Sequence, residues 1–225
     1  MNSKAVSEAF GAMLTVFLIV AAAGLIYLIS YPTIFYGIEN IAYRNSVKSM
    51  AEIKEIVERM KFGNEISTTK TIQLGGGSVY TMSALNLTVN ESLYSIKDLV
   101  IDLSGRKIFF ESGIFEEVNG RVIPIPISDP NIAITDDTAY FTFYNFGGNF
   151  SGGGSELTLN LIYNGTRKMY ASEIKIQSKF CTIWAEALNA TTGGQQLNLT
   201  DTDCSDQTIE AEGNFQIVIV DLEVR

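Results

Sequence analysis

The chain has 225 residues, 46% of them hydrophobic and 18% charged, with a net charge of −9. Twenty-five acidic against sixteen basic residues argue against a nucleic-acid binder, which needs a basic patch to displace counterions from phosphate. Histidine is absent, which removes the Ser-His-Asp triad, the Cys-His dyad and every His-ligated metal site.

Two cysteines, Cys181 and Cys204, are too few for an all-cysteine zinc site or an iron–sulfur cluster. The mean hydropathy of +0.16 hides an asymmetry, because most of the excess lies in the first 40 residues. No charged residue occurs between Glu8 and Glu39, so Ala9–Ile38 is an uncharged run of 30 residues. As a helix it would be about 45 Å long, enough to span a bilayer core of about 30 Å. A secretory signal has a shorter apolar region, about 7–15 residues, and no A-x-A site follows this one. Pro32 removes one backbone hydrogen bond and is a candidate kink. Tyr27, Tyr31 and Tyr36 stand where an interfacial aromatic belt would sit. Five bases and four acids in 39–61 leave the orientation open.

The block Lys4–Leu25, KAVSEAFGAMLTVFLIVAAAGL, resembles the class III signal peptide of archaeal type IV pilins and archaellins. In that family a prepilin peptidase cuts after a basic-small pair, before the hydrophobic helix. The resemblance places the processing site at Lys4, Ala5 and Val6, with the cut between Ala5 and Val6. It implies a leader over 1–5 and a helix that anchors in the membrane before assembly and forms the filament core after it. Cleavage removes the basic charge and leaves an almost neutral apolar rod, which can exchange lipid contacts for contacts with identical rods. The alternative is a plain signal anchor that is never cut.

The helix is expected to continue through 39–62. Ile41, Val47, Met50, Ile53, Val57 and Met60 recur at three- and four-residue spacings and form one apolar stripe. Glu55 and Arg59 are an i,i+4 pair, and Gly63-Asn64 is a stop signal. Helix 6–63 is thus hydrophobic at first and amphipathic later.

From about Ile66 the helical period gives way to short β-branched and aromatic runs between turn signals. Expected strands are Thr71–Leu74, Leu85–Val89, Ser95–Asp102, Lys107–Ser112, Arg121–Ile125, Ala139–Phe146, Glu156–Tyr163, Lys168–Ser178, Cys181–Ala187, Gln207–Ala211 and Phe215–Glu223. Ser104-Gly105, Asn119-Gly120 and Asn164-Gly165 are hairpin signals. The fold class is therefore α+β: a long N-terminal hydrophobic helix, then an all-β head over 64–225, read as a β-sandwich. An immunoglobulin-like arrangement stays open, although Trp184 follows Cys181 by only three residues. The Gly-rich strand start at Gly75–Gly77 and the Gly/Ser loop at Gly147–Ser155 loosely resemble archaeal pilin-like heads of unassigned function.

Cys181 and Cys204 are a disulfide candidate if the head is extracytoplasmic. Six Asn-x-Ser/Thr sequons occur, at Asn86, Asn90, Asn149, Asn164, Asn189 and Asn198. All fall in the β-region and favour an exported, glycosylated surface. Asp201, Asp203 and Asp206 form an acidic cluster that lacks the glycine of an EF-hand loop and reads as a solvated loop; Glu116-Glu117 and Asp136-Asp137 read as turn residues. Gly75–Gly77 and Gly152–Gly154 lack the lysine of a phosphate loop. No catalytic residue, cofactor site or metal site is expected, and no enzyme activity.

These readings point to a structural subunit of an extracellular type IV pilus-like filament, polymerising through its N-terminal helix with a glycosylated head outside. Its expected partners are copies of itself, a prepilin peptidase, the pilus assembly machinery and, before assembly, the membrane as a single-pass protein. The alternative is a membrane-anchored minor pilin, filament-base component or surface adhesin.

Overall fold

The computed structural model describes residues 3–119, 121, 123–135, 138–192, 198–201, 204 and 206–225. Helix α1 runs Ser3–Lys61, 59 residues, and stays helical through Pro32. It ends as its sequence implies. Gly63 takes a φ of 73°, its N–H bonds the Met60 carbonyl, and the Asn64 N–H reaches the Arg59 carbonyl. This double closure satisfies carbonyls that the last turn leaves open.

The chain divides into two units, Met1–Ile41 and Ala42–Arg225. In the second unit the helix stripe is buried, with Met50, Ile53, Val57 and Met60 at 0% exposure. Each such side chain contributes roughly 1.5–3 kcal/mol. The expected stripe is therefore the packing face from Met50 onward, while Val47 is partly buried and Ile41 is 61% exposed. Polar contacts fix its register. Tyr144 Oη donates to Glu58, Asn131 Nδ2 donates to the same Glu58 oxygen at 2.7 Å, and Lys61 Nζ donates to Thr142 Oγ1 at 3.0 Å. Tyr43 Oη donates to Glu116 at 2.8 Å, and burial with this bond raises its phenol to about 12.

The strands are β1 Ser67–Gln73, β2 Ser78–Val89, β3 Ser92–Leu103, β4 Arg106–Glu111, β5 Gly113–Val118, β6 Ile125–Ser128, β7 Ile132–Thr135, β8 Thr138–Gly147, β9 Ser151–Gly153 and β10 Glu156–Ser178. After β10 come helix α2, Cys181–Thr192, then β11 Asn198–Asp201 and β12 Thr208–Val224. One N-terminal apolar helix is thus followed by a mostly β domain, as expected. All twelve strands join one sheet, ordered β6-β5-β4-β3-β2-β10-β12-β8-β7, with β1, β9 and β11 at its sides. The pairing does not confirm an immunoglobulin-like sandwich: there is a single hydrogen-bonded sheet, and β8 runs parallel to β12. Two apolar clusters occupy its faces, one containing the stripe of α1 and one containing α2.

Several expectations change. Glu156–Tyr163 and Lys168–Ser178 form one 23-residue strand, because Asn164-Gly165 makes a bulge in the β10–β12 ladder rather than a hairpin. Gln207–Ala211 and Phe215–Glu223 merge likewise into β12. Of the expected strand Arg121–Ile125, Arg121, Ile123 and Pro124 are outside any strand, Val122 lies outside the described residues, and Ile125 opens β6, which pairs with β5. Asn119-Gly120 lies in that connection, Gly120 outside the described residues. Cys181–Ala187 is helical. Along α2, Cys181, Trp184, Ala185 and Leu188 are buried at the 3.6 period, with Ile183 buried beside them, and the Ser178 hydroxyl accepts the Phe180 N–H at 3.0 Å just before the helix starts.

Candidate functional site

Lys4, Ala5 and Val6 lie in the first turns of α1, their backbone helical. From Gly11 to Tyr31 the helix has a mean hydropathy of 2.6 and no buried residue in its most apolar stretch, and it is long enough to cross a membrane. Thirteen large apolar side chains between Met13 and Tyr31 are exposed. Leaving each in water costs roughly 1.5–3 kcal/mol. The total exceeds the roughly 5–15 kcal/mol that stabilises a whole domain. This surface requires a nonaqueous environment, either lipid or protein. Thr15 Oγ1 donates to the Gly11 carbonyl at 2.9 Å, which satisfies its hydroxyl without water.

Cys181 and Cys204 form a disulfide, with Cα atoms 5.8 Å apart. It ties the first residue of α2 to the segment ahead of β12. Among the sequons, Asn90 is exposed at the β2–β3 hairpin, where Asn90 and Glu91 both take positive φ. Its Nδ2 donates to the Tyr170 carbonyl at 2.9 Å. Asn149 is exposed and accepts from Lys97 Nζ at 2.9 Å. Asn164 is exposed on the β10 bulge and Asn189 on α2. Asn86 is half-buried within β2 and donates to Gln177, so it is the poorest acceptor for a bulky glycan. Asn198 begins β11, its side chain outside the described residues. Of the acidic cluster, Asp206 is exposed, Asp201 ends β11, and Asp203 lies outside the described residues, as do Asp136-Asp137. Glu116 and Glu117 are strand residues rather than turn residues: they lie on β5, Glu116 buried, and are bonded to Arg106 and Lys179. Among the described residues no group of three or more acids or thiols is placed to hold a metal.

The head also brings together a pair that the reading of motifs missed. Asp98 on β3 and Glu111 on β4 stand opposite each other, one step beyond the Leu99–Phe110 pair. They are 0% and 1% exposed. Trp184 Nε1–H donates to Glu111 Oε1 at 2.8 Å. The signal was present in the sequence: the Ser104-Gly105 turn, once taken as a two-residue hairpin, sets Asp98 against Glu111.

The chain is 39% identical over 257 aligned residues to an uncharacterized protein of Archaeoglobus fulgidus, a match spanning 100% of this chain and 98% of that protein. It belongs to the same family. No family model matches the chain, and no solved structure matches it.

Proposed function

We propose that the chain is a structural subunit of an extracellular archaeal type IV pilus-like filament. The observation that carries this reading is the single helix α1: over Gly11–Tyr31 it is an uncharged apolar surface with no buried residue in its most apolar stretch, and its later stripe is locked into the β domain. In this reading residues 1–5 are a leader that a prepilin peptidase removes between Ala5 and Val6. The helix then holds the subunit in the membrane as a single pass. The assembly machinery later moves it into a core of identical helices. The head lies outside the cell, where an oxidising environment supports the disulfide and exposed sequons such as Asn90, Asn149 and Asn164 carry glycans.

Mass spectrometry of native protein from sheared cell-surface material tests the reading. A mature chain that starts at Val6 and is abundant in the sheared fraction is the expected result. A chain starting at Val6 but confined to membranes would indicate a minor pilin, filament-base component or anchored adhesin. An intact Met1–Ala5 with no polymer would overturn every pilin reading.

A further inference from the structure

We propose that Asp98 and Glu111 form a buried proton-binding site, one proton shared between facing carboxyls, which fastens helix α2 to the sheet. The inference is independent of the filament reading and holds for the head whether or not the chain polymerises.

The geometry leaves few other ways to satisfy these groups. Asp98 Oδ1, Asp98 Oδ2 and Glu111 Oε2 are buried and meet no hydrogen-bond donor. Two bare carboxylates would repel each other and could not be hydrated. A proton on one carboxyl gives the other its missing donor. The surroundings are otherwise apolar: Ile96 and Val100 on β3, Phe109 on β4, and Phe180, Ile183 and Trp184 beside or on α2 share this cluster. Besides the two carboxyls, the charge acting on the pair is Lys179. Lys179 is already engaged. Its Nζ bonds Glu117 Oε2 at 2.6 Å on β5 and lies 3.6 Å from the Phe109 ring centroid. Ser178, at the end of β10, and the Trp184 N–H supply neutral donors to Glu111 alone. Neither reaches Asp98, so the second carboxyl depends on the proton.

Burial raises Asp98 well above the usual carboxylate range, with the Glu111 charge adding to it, and raises Glu111 to about 7. The folded head therefore keeps protons that the unfolded chain releases above about pH 4. Stability from the pair is complete below that pH, where both carboxyls are protonated. It declines as Glu111 ionises toward about pH 7, which leaves the single proton shared with Asp98, and further as Asp98 ionises. Helix α2 rests on the pair through the Trp184 hydrogen bond and is the element that loosens.

Trp184 is the single tryptophan and reports on this site directly. The test uses the full chain in detergent, melted at several values from pH 4 to pH 8 and followed by Trp184 fluorescence. The midpoint is expected to fall by roughly 5–10 °C across that range. Asp98→Asn supplies a permanent amide donor to Glu111 and should flatten the fall. A wild-type midpoint that is constant or rises with pH overturns the proposal, as does an Asp98→Asn chain with the wild-type slope. Infrared spectroscopy of the wild-type chain near pH 6 covers the case in which the variant does not fold. A protonated-carboxyl C=O band, shifted in deuterium oxide, is expected; its absence overturns the shared proton.

Discussion

Removing the disulfide should loosen the α2 end of the head. Cys181 and Cys204 are 23 residues apart. Restricting a loop of that length lowers unfolded-chain entropy by an amount worth about 3.4 kcal/mol in the chain-entropy model. Cys181 is 3% exposed and packs in the cluster around Trp184, so a paired Cys181→Ala, Cys204→Ala change adds a small packing loss in the same direction. For a domain of this size each kcal/mol moves Tm by roughly 2–4 °C, which gives a fall of about 7–14 °C. Thermal melts of the full chain should be followed by Trp184 fluorescence for α2 and circular dichroism for the sheet. Wild-type protein treated with a reductant should shift nearly as far, short of the double variant by the small packing loss. A fall below about 2 °C would refute the reasoning, since it would mean that the loop is already confined in the unfolded chain.

Two packing predictions test the anchoring of the helix and the hairpins. Ile53→Ala empties a site of 0% exposure between helix and sheet, and a loss of roughly 2–5 kcal/mol is expected from the denaturant midpoint. Gly113→Ala places a Cβ 2.7 Å from the Ser128 carbonyl oxygen and 2.9 Å from the Asp129 backbone. Neither can yield as a side-chain tip could, so a loss of about 1–3 kcal/mol is expected in thermal melts, with β6 detached first by hydrogen exchange.

How much was legible follows from which residues carried one-dimensional signals. Helix α1 was readable nearly to its ends, because a charge-free run, a 3.6-residue stripe and a Gly-Asn stop all coincide there. Most strands were readable from β-branched runs. The long β10 was not, since Asn164-Gly165 has the composition of a hairpin turn yet serves as a bulge, with Gly165 at a φ of 140° and the chain continuing straight along β12. Helix α2 was misread because Thr182, Ile183 and Trp184 favour strands locally, while the burial period that makes it a helix depends on a core assembled from distant strands. Short strands such as β9, Ser151–Gly153, have no propensity signal and exist through pairing with β2. The Asp98–Glu111 pair needed register, not motif: each acid alone is an ordinary residue, and only the hairpin closure makes them partners.

The glycines of the apolar helix bear on what surrounds it. Beyond the local helix backbone, an added Cβ at Gly11 or Gly24 meets no atom of its own chain within 4 Å, so no packing inside the subunit requires them. Each nevertheless costs about 0.8–1.0 kcal/mol in helix propensity relative to alanine. In lipid alone a leucine at either position would be better tolerated, since it raises both helicity and hydrophobicity. Between helices the order reverses: lipid is as apolar as leucine, so association depends on close approach, which small residues permit and a leucine blocks. On the proposed filament reading, Gly24→Leu should therefore leave membrane insertion intact and reduce the filament fraction recovered by shearing roughly tenfold, with the subunit retained in membranes and starting at Val6. An unchanged filament yield would show that no helix approaches at Gly24. Loss from membranes and surface together would indicate failed insertion and would count against the propensity argument itself.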